Sequence, residues 1–306
     1  MSKRNRVLVL CYHRINILEQ DINKLAVTPI NFEQHILWLK KNFEIVRFEE
    51  EWKGIERDAV AITFDDGYMD FYQNALPILE QYHIPATVFI ATGTMDQKRE
   101  FWWDELEDLI FNGNDIPPFF HLEDKKFDYT WVTSNYEYRK SFYQSLHFLI
   151  KNCADIRKRE EWFEQLWSWR GRKRKVREEY FAINSDICKK IIKSPLVTIG
   201  AHTVSHPALK YLTEKEQKKE IEESIERLEN IVKQPITVFS YPFGKKNIDY
   251  NDFSSCICKK MEIKKTAATN KGMWDEERGN YDIYRNGVRD MELFDFIAYV
   301  NNIKEI

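Results

Sequence analysis

The sequence predicts an α/β fold, a single barrel-like domain that carries an insertion. Short apolar segments alternate with longer amphipathic ones, which is the pattern of strand–helix repeats around a largely parallel sheet. The chain of 306 residues is somewhat longer than the roughly 250 residues of a typical α/β barrel. The alternation stops after residue 93 and resumes at residue 196, an interval too long for a simple connection. We therefore predict one domain over residues 1–306 with a largely helical insertion at 94–195.

The individual elements are assigned from their hydrophobic periodicity and their end signals. Asn31 is the predicted N-cap of the first helix, Pro77 a kink in the second, and Gly200 the end of a buried strand. The predicted strands are residues 7–11, 43–48, 59–64, 86–91, 196–199, 236–239, 264–269 and 282–284. The predicted helices are residues 31–41, 69–81, 214–232 and 291–300, and in the insertion one that opens at Phe101 and two at 136–150 and 157–169.

Composition and charge narrow the functional classes. Hydrophobic residues make up 43% and charged residues 31% of the chain, as in ordinary globular proteins. The net charge of −3 argues against a dedicated nucleic-acid binder. The apolar run near the N-terminus is too short for a signal peptide, and no run approaches the ~18 residues of a membrane-spanning helix. We therefore expect a cytoplasmic protein, and the sequence does not indicate its oligomeric state.

One segment of the insertion, residues 157–177, is strongly basic, with nine Lys or Arg against three Glu. The simpler interpretation is a solvated helix face followed by a basic loop. The alternative is a surface that contacts an anionic partner, such as a membrane-bound, lipid-linked or phosphorylated substrate.

Two adjacent carboxylates, Asp65 and Asp66, directly follow the predicted strand 59–64, and Gly67 comes next. Neighbouring side chains of a strand point to opposite faces, so the pair could not act together inside the strand. Beyond its C-terminal end Gly67 lets the chain turn, and both acids can face one site. The carboxyl ends of strands are also where parallel α/β folds place their active sites. An exposed Asp-Asp-Gly turn is the alternative interpretation.

A second polar group, His202 and His206, follows another buried strand and Gly200. Two histidines four residues apart on a helical turn share a face and can bind one ion together. The spacing alone is weak, but both histidines lie just beyond a strand end. One carboxylate and two imidazoles suit a divalent transition metal and leave positions for water and substrate.

A third strand end, residues 239–244, reads Phe-Ser-Tyr-Pro-Phe-Gly. One interpretation is a backbone N–H near Tyr241 that donates to a substrate oxygen. The other is a strand-terminating turn with no further role.

These segments together resemble the polysaccharide deacetylase family, carbohydrate esterase family 4, whose shared unit is the NodB homology domain. Thr-Phe-Asp-Asp-Gly at 63–67 and His-Thr-Val-Ser-His at 202–206 match two of its motifs, and Tyr-Pro-Phe-Gly at 241–244 is the remnant of a third. The resemblance covers most of the chain outside 94–195. It implies a distorted (β/α)7-type, NodB-like barrel, related to the eight-stranded form.

The resemblance also implies a role for each motif residue. Asp65 would be the general base. Asp66, His202 and His206 would hold one divalent ion, expected to be Zn²⁺, with Mn²⁺, Co²⁺ or Ni²⁺ as alternatives. The Tyr241 backbone would donate to the oxyanion.

One family residue that is missing is the late histidine that protonates the leaving amine, since no histidine follows His206. Cys-Tyr-His-Arg at 11–14 resembles the early Tyr-His of the branch that includes poly-N-acetylglucosamine deacetylases. His13 is therefore the candidate general acid. A loop histidine bonded to nearby carbonyls is the alternative.

The arginine that orients the base is also missing from its usual motif, where Ser240 stands nearby. Tyr-Arg-Asn-Gly-Val at 284–288 resembles a late arginine of the same branch. Arg285 is therefore the candidate partner of Asp65, with Arg289 as a second candidate. An arginine beside Asp65 would hold it ionised at neutral pH.

The implied function is the metal-dependent hydrolysis of an N-acyl group, by default acetyl, from an amino-sugar glycan or biosynthetic intermediate. Three alternatives stay open. The acyl group could be formyl on a lipid- or nucleotide-linked sugar, the protein could be a catalytically silent carbohydrate-binding homologue, or the substrate could be a cyclic ureide or imide.

Overall fold

A computed structural model describes residues 6–125, 128–153 and 155–305. The chain divides into two compact units. The larger unit comprises Met1–Gln97 and Ala182–Ile306, and the smaller unit comprises Lys98–Phe181. The smaller unit thus lies inside the interval 94–195 that the sequence analysis assigned to an insertion.

The described residues form the following elements. The strands are β1 Val7–Tyr12, β2 Arg14–Ile15, β3 Ala26–Val27, β4 Glu44–Ile45, β5 Ala59–Phe64, β6 Ala86–Ile90, β7 Phe119–Glu123, β8 Asp128–Val132, β9 Val197–Ala201, β10 Val238–Ser240, β11 Lys265–Ala267 and β12 Asn286–Gly287. The α-helices are α1 Pro29–Asn42, α2 Leu76–Tyr82, α3 Trp102–Phe111, α4 Tyr136–Lys151, α5 Ile156–Arg170, α6 Ser185–Ile191, α7 Glu214–Val232, α8 Asp252–Lys260 and α9 Leu293–Lys304.

The larger unit is built on one curled parallel sheet in the order β11-β10-β9-β6-β5-β1-β12, with β4 on the first residues of β5. These strands all pair with one another in the parallel direction. Near the end of the chain, one short segment contacts strands at both ends of this order. Ile283 bridges to Ala267 of β11, and Asn286 pairs with Leu10 of β1. The predicted α/β class and parallel sheet are confirmed.

Two element boundaries differ from the sequence analysis for local reasons. The first helix begins at Pro29 and is capped by Thr28, whose hydroxyl accepts from the N–H of Asn31, so Asn31 is not the cap. The predicted helix 69–81 is a π-helix, Phe71–Ala75, followed by α2. Pro77 has no N–H to donate to the preceding turn, which accounts for the wider turns before it.

The last predicted strand, 282–284, is wrong in position. Only Ile283 forms an isolated bridge there, and the strand is Asn286–Gly287. Because a strand this short offers almost no periodicity, the sequence could not fix its register.

The centre of the sheet is filled by alternate side chains. Residues at every second position of a strand point inwards, and these positions are apolar over the first part of each strand. The resulting buried cluster contains Val7, Val9, Ala59, Ala61, Phe89, Val238, Ala267 and Ile283, together with Val46, Phe48, Trp52 and Trp274. Lys265 is also buried there, with Nζ 3.3 Å from the ring centroid of Trp52, and it donates to the carbonyl of Glu50.

One inward position has to be glycine. Gly200 of β9 faces Phe89, its register partner on β6. A Cβ at Gly200 would lie 2.5 Å from the ring of Phe89 and 2.9 Å from Val238. The glycine that marks the strand end in the sequence is therefore a packing requirement.

The smaller unit contains α3, α4 and α5 as predicted, and also an antiparallel hairpin of β7 and β8. The hairpin was missed because the interval was interpreted as helical. Its strand β7 alternates exposed and buried residues, a period-2 pattern visible in Phe-Phe-His-Leu-Glu. The two ends of the unit pair with each other through an antiparallel bridge between Glu100 and Phe181.

The basic segment 157–177 is largely neutralised within the smaller unit. Its arginines contact acidic side chains and carbonyls in α3 and at its two ends: Arg177 with Glu100 at 2.6 Å, Arg174 with Glu105 at 2.7 Å, Arg172 with Asp108 at 3.5 Å, and Arg170 with the carbonyls of Leu109 and Asn112. These ion pairs favour the structural interpretation over a surface kept for an anionic partner.

Across the part of the chain that the structure describes, no helix has both the length and the apolar character needed to cross a bilayer.

Candidate active site

The inward-facing positions become polar where the strands end. Continuing the alternation that fills the core, the next inward positions on each strand carry groups able to do chemistry. These positions are Cys11 and His13 after Val9, Thr63 and Asp65 after Ala61, His202 after Gly200, Ser240 after Val238, and Arg285 after Ile283. The same face of the sheet therefore forms an apolar floor and a polar mouth.

Asp65 and Arg285 form a buried two-pronged ion pair at this mouth. The guanidinium Nη1 lies 2.7 Å from Asp65 Oδ1 and Nη2 lies 2.6 Å from Oδ2. The remaining N–H groups of Arg285 donate to the carbonyl of Ala268 and the hydroxyls of Thr63 and Ser240, at 3.1, 3.2 and 2.7 Å. All five donors of the guanidinium are thereby used, which fixes the plane of the Asp65 carboxylate.

The positive charge of Arg285 determines the protonation state of Asp65. Burial disfavours the ionised carboxylate, but the positive charge of Arg285 outweighs it and holds the pKa of Asp65 well below its usual range. Of the two predicted arginines, Arg285 makes this contact, whereas Arg289 is exposed. Asp65 is therefore ionised at neutral pH.

Asp66 faces the same site because the backbone turns at that residue. Asp66 has φ of 69° and Gly67 has φ of 83°, a left-handed region that few residues other than glycine adopt. A Cβ on Gly67 would also lie 2.9 Å from the Ile90 side chain. The two acids thus escape the alternation that would separate them in a strand.

His202 and His206 converge on Asp66. Their Nε2 atoms lie 3.5 and 3.3 Å from Asp66 Oδ1. They are not on a helical turn as predicted, since Thr203 has φ of 65° and His206 φ of 53° in an irregular loop. The i, i+4 spacing is met by a loop that folds back on itself, and the helical explanation of it was wrong.

These three residues fit a divalent metal ion. The distances of 3.5 and 3.3 Å from the two Nε2 atoms to Asp66 Oδ1 are close to the separation of two ligand atoms around an ion with ~2 Å bonds. His202 Nδ1 is 2.7 Å from the carbonyl oxygen of Ser240. A carbonyl only accepts, so Nδ1 carries the proton and Nε2 faces Asp66. A metal-binding histidine usually donates its other ring N–H to the protein in this way. Burial lowers the pKa of His206 to about 3, so its imidazole is neutral.

His13 lies close to Asp65. One of its ring nitrogens, the Cys11 sulfur and an Asp65 oxygen lie within 4.8 Å of one another, and His13 is half-buried. The next residue, Arg14, is anchored by a buried ion pair with Asp70, Nε to Oδ2 at 2.8 Å. The candidate acid is therefore held between β1 and the chain that follows the two aspartates.

Tyr241 is the predicted site residue that the structure does not bring to the mouth. Its N–H donates to the carbonyl of Ala267 at 3.1 Å inside the sheet. Its buried ring stacks on Tyr250 with centroids 3.8 Å apart. Strand pairing of β10 with β11 uses this donor, a consequence that the sequence could not show without the sheet order.

Two residues near the site were missed. The Ser240 hydroxyl accepts from Arg285 and lies 3.3 Å from Asp65 Oδ2, as donor to it. Glu220 of α7 accepts from the loop that carries His202 and His206. The position of Ser240 in the third motif was a usable signal, whereas a glutamate in a charged helix gave none.

Comparison with known proteins identifies this arrangement. The family described as Polysaccharide deacetylase matches residues 53–117 and 167–264, just over half of the chain. The protein belongs to the polysaccharide deacetylase family. The matched segments include Asp65, Asp66, His202 and His206, and they omit the middle of the smaller unit.

Individual relatives are more distant. YxkH of Bacillus subtilis (strain 168), provisionally named a polysaccharide deacetylase, is 22% identical over 99% of this chain and 79% of its own length. The poly-beta-1,6-N-acetyl-D-glucosamine N-deacetylase of Staphylococcus epidermidis is 35% identical, but over 29% of this chain and 37% of that protein.

The fold is shared with solved structures. The Streptococcus pyogenes deacetylase PplD, solved in complex with acetate, superposes with a TM-score of 0.60 at 18% identity over 97% of this chain and 98% of that one. This similarity confirms the predicted NodB-like barrel, in the form of a curled, seven-stranded parallel half-barrel.

Proposed function

We propose that this protein is a hydrolase that removes an N-acyl group, by default acetyl, from an amino-sugar unit of a glycan or of a biosynthetic intermediate. The observation that carries the proposal is the pairing of two adjacent carboxylates with different partners. Asp65 is held ionised by Arg285, and Asp66 shares a buried ligand set with His202 and His206. Asp65 can therefore accept a proton, and Asp66 is suited to binding a metal ion.

In the proposed reaction Asp65 accepts the proton of the attacking water, and His13 donates a proton to the departing amine. Both groups reach the same mouth of the sheet, and a ring nitrogen of His13 lies within 4.8 Å of an Asp65 oxygen. Arg285 orients the carboxylate and keeps it ionised. Tyr241 has no step, because its N–H is used within the sheet.

The low pKa of Asp65 has a chemical consequence. A carboxylate held this firmly in its ionised form is a weak base, and it accepts a proton readily only from an acidified water. Asp66, His202 and His206 would hold a divalent ion, which would lower the pKa of the attacking water and polarise the amide carbonyl.

The substrate class is supported by the family and by the names of its members. The S. epidermidis protein is named for poly-N-acetylglucosamine, and PplD was solved with acetate. An N-acetylated amino sugar is therefore the first substrate to test. The preference for Zn²⁺ and the cytoplasmic location stay predictions.

The test is acyl release by the purified, metal-loaded protein. β-1,6- and β-1,4-linked N-acetylglucosamine oligomers and N-formylated analogues are incubated with it, acetate and formate are quantified, and the sugar amine is detected by mass spectrometry. We expect release of acetate that Asp65→Asn abolishes. Asp186→Asn, at an exposed aspartate, is the matched control and should keep full activity.

Other outcomes identify the alternatives. Formate release without acetate release would make the protein a deformylase. Hydrolysis of a hydantoin with no N-acyl sugar cleaved would overturn the substrate class. Glycan binding without turnover by the metal-loaded protein would overturn the enzymatic proposal.

A further inference from the structure

The loop that joins His202 to His206 has an unfavourable backbone. Thr203 and His206 both have positive φ, at 65° and 53°, and neither is glycine. A β-branched residue such as threonine is particularly rare in this region. A loop with two such residues persists only where its surroundings determine its conformation.

Part of that support comes from one side of the loop. The N–H groups of Thr92 and Gly93 donate to the carbonyls of Thr203 and Val204, at 3.1 and 2.7 Å. The approach is close, since a Cβ on Gly93 would lie 2.6 Å from the Val204 oxygen. These bonds satisfy the carbonyls of the loop and leave its N–H groups to be satisfied elsewhere.

Two N–H groups of the loop are held by one carboxylate, that of Glu220 in α7. Its Oε2 accepts from the N–H groups of Val204 and Ser205, at 2.9 and 2.8 Å, and its Oε1 accepts from the Ser205 hydroxyl at 2.7 Å. Glu220 is only 8% exposed. Hydrogen bonds to an ionised, buried acceptor are stronger than those between neutral groups.

We propose that Glu220 is a positioning residue for the metal ligands. Val204 and Ser205 lie between the two histidines in the chain, so fixing both of their amides sets the separation at which His202 and His206 face Asp66. Glu220 acts on these ligands through the loop amides from which it accepts. The inference rests on the proposed function only for the identity of the bound group, a divalent ion.

The first experiment measures metal affinity. Zn²⁺ affinities of the wild-type protein, Glu220→Gln and Glu220→Ala are obtained by competition with a chromophoric chelator. Loss of a residue that orients metal ligands lowers affinity by about 10- to 100-fold, and we expect that range for Glu220→Ala. Glu220→Gln should lie between, because its amide keeps one acceptor oxygen. Glu226→Gln, at an exposed position of α7, is the control and should bind as the wild type does.

Visible spectra of the Co²⁺-loaded proteins add a readout of ligand geometry. Glu220→Ala should change the intensity or position of the Co²⁺ bands, and Glu226→Gln should not. A merely structural role would lower stability and leave these spectra unchanged. Zn²⁺ binding by Glu220→Ala within about twofold of the wild type, with an unchanged Co²⁺ spectrum, would overturn the proposal.

The second experiment needs no metal. Amide hydrogen exchange is measured by NMR in the chelated protein, wild type against Glu220→Gln. We expect the Val204 and Ser205 amides to exchange at least about tenfold faster, while the Ile199 amide of β9 keeps its rate, since local opening exposes only the amides concerned. Equal acceleration at all three amides, or none, would contradict the positioning role. If the wild type binds no ion, the proposed function is wrong at its metal site, and exchange alone decides the role of Glu220.

Discussion

Replacing Arg285 with methionine should destabilise the metal-free protein by roughly 3–5 kcal/mol, the usual cost of removing one partner of a buried ion pair. The Arg285 side chain is fully buried and that of Asp65 is 5% exposed. The substitution removes both short hydrogen bonds to the Asp65 carboxylate and retains the longer one, donated by the Ser240 hydroxyl at 3.3 Å. Methionine has a similar length and can pack on Phe89, over whose ring the guanidinium lies, so a cavity contributes little.

The pH dependence provides the sharper test. In the wild type the pKa of Asp65 is lowered, so its contribution to stability is present above its unfolded pKa of about 3.9 and is lost as the pH falls. In Arg285→Met, burial without a counter-charge should raise the pKa of Asp65 above its unfolded value. The contribution of Asp65 to stability is then lost as the pH rises. The stability difference between the two proteins should therefore be largest near pH 7 and should shrink towards pH 4.

The assay is urea unfolding followed by circular dichroism, in EDTA, between pH 4.5 and 8. Asp65→Asn and the double variant complete a mutant cycle. The double variant should lose less unfolding free energy than the sum of the losses in the two single variants, by up to about 3 kcal/mol. A loss below about 1 kcal/mol at pH 7, or one that does not vary with pH, would refute the reasoning.

Three further substitutions test the scaffold by the same unfolding assay. Burial lowers the pKa of Lys265 to about 7. The stability of the wild type relative to Lys265→Met should therefore rise between pH 7 and 9.5, by up to about 1.4 kcal/mol per pH unit. A stability difference that stays constant over this range would contradict the reasoning. Asp70→Asn leaves the buried guanidinium of Arg14 without its counter-charge and should cost roughly 3 kcal/mol; an unchanged midpoint would argue against the pair. Gly200→Ala should cost at least about 2 kcal/mol through overpacking, whereas Gly287→Ala, with open space around its Cβ, should cost far less; equal losses would refute the packing argument.

The positions of the site residues could be predicted because they follow strand ends. The Asp65-Asp66 pair follows one buried strand and His202 follows another, and in a parallel sheet the carboxyl ends of the strands meet at one edge. That reasoning needs the strands and their common direction, but not their order. The structure brings these residues together as that reasoning expects.

Other parts of the site depended on contacts that no local pattern encodes. Arg285 was found only through a family resemblance, because its partner lies 220 residues earlier in the chain. The loop between the histidines has no helical periodicity, and its positive φ values follow from bonds to Gly93 and Glu220. The fate of the Tyr241 amide depended on which strand lies beside β10. In each case long-range pairing decided the geometry.

The bridge between Glu100 and Phe181 has a consequence for how this molecule can change over evolutionary time. Because the bridge holds the two ends of the smaller unit together, the distance between those ends stays fixed whatever the length of the chain between them. The entropic cost of closing that chain into a loop grows only with the logarithm of its length. Segments can therefore be gained, lost or exchanged there while the strand ends that carry Asp65 and His202 keep their spacing.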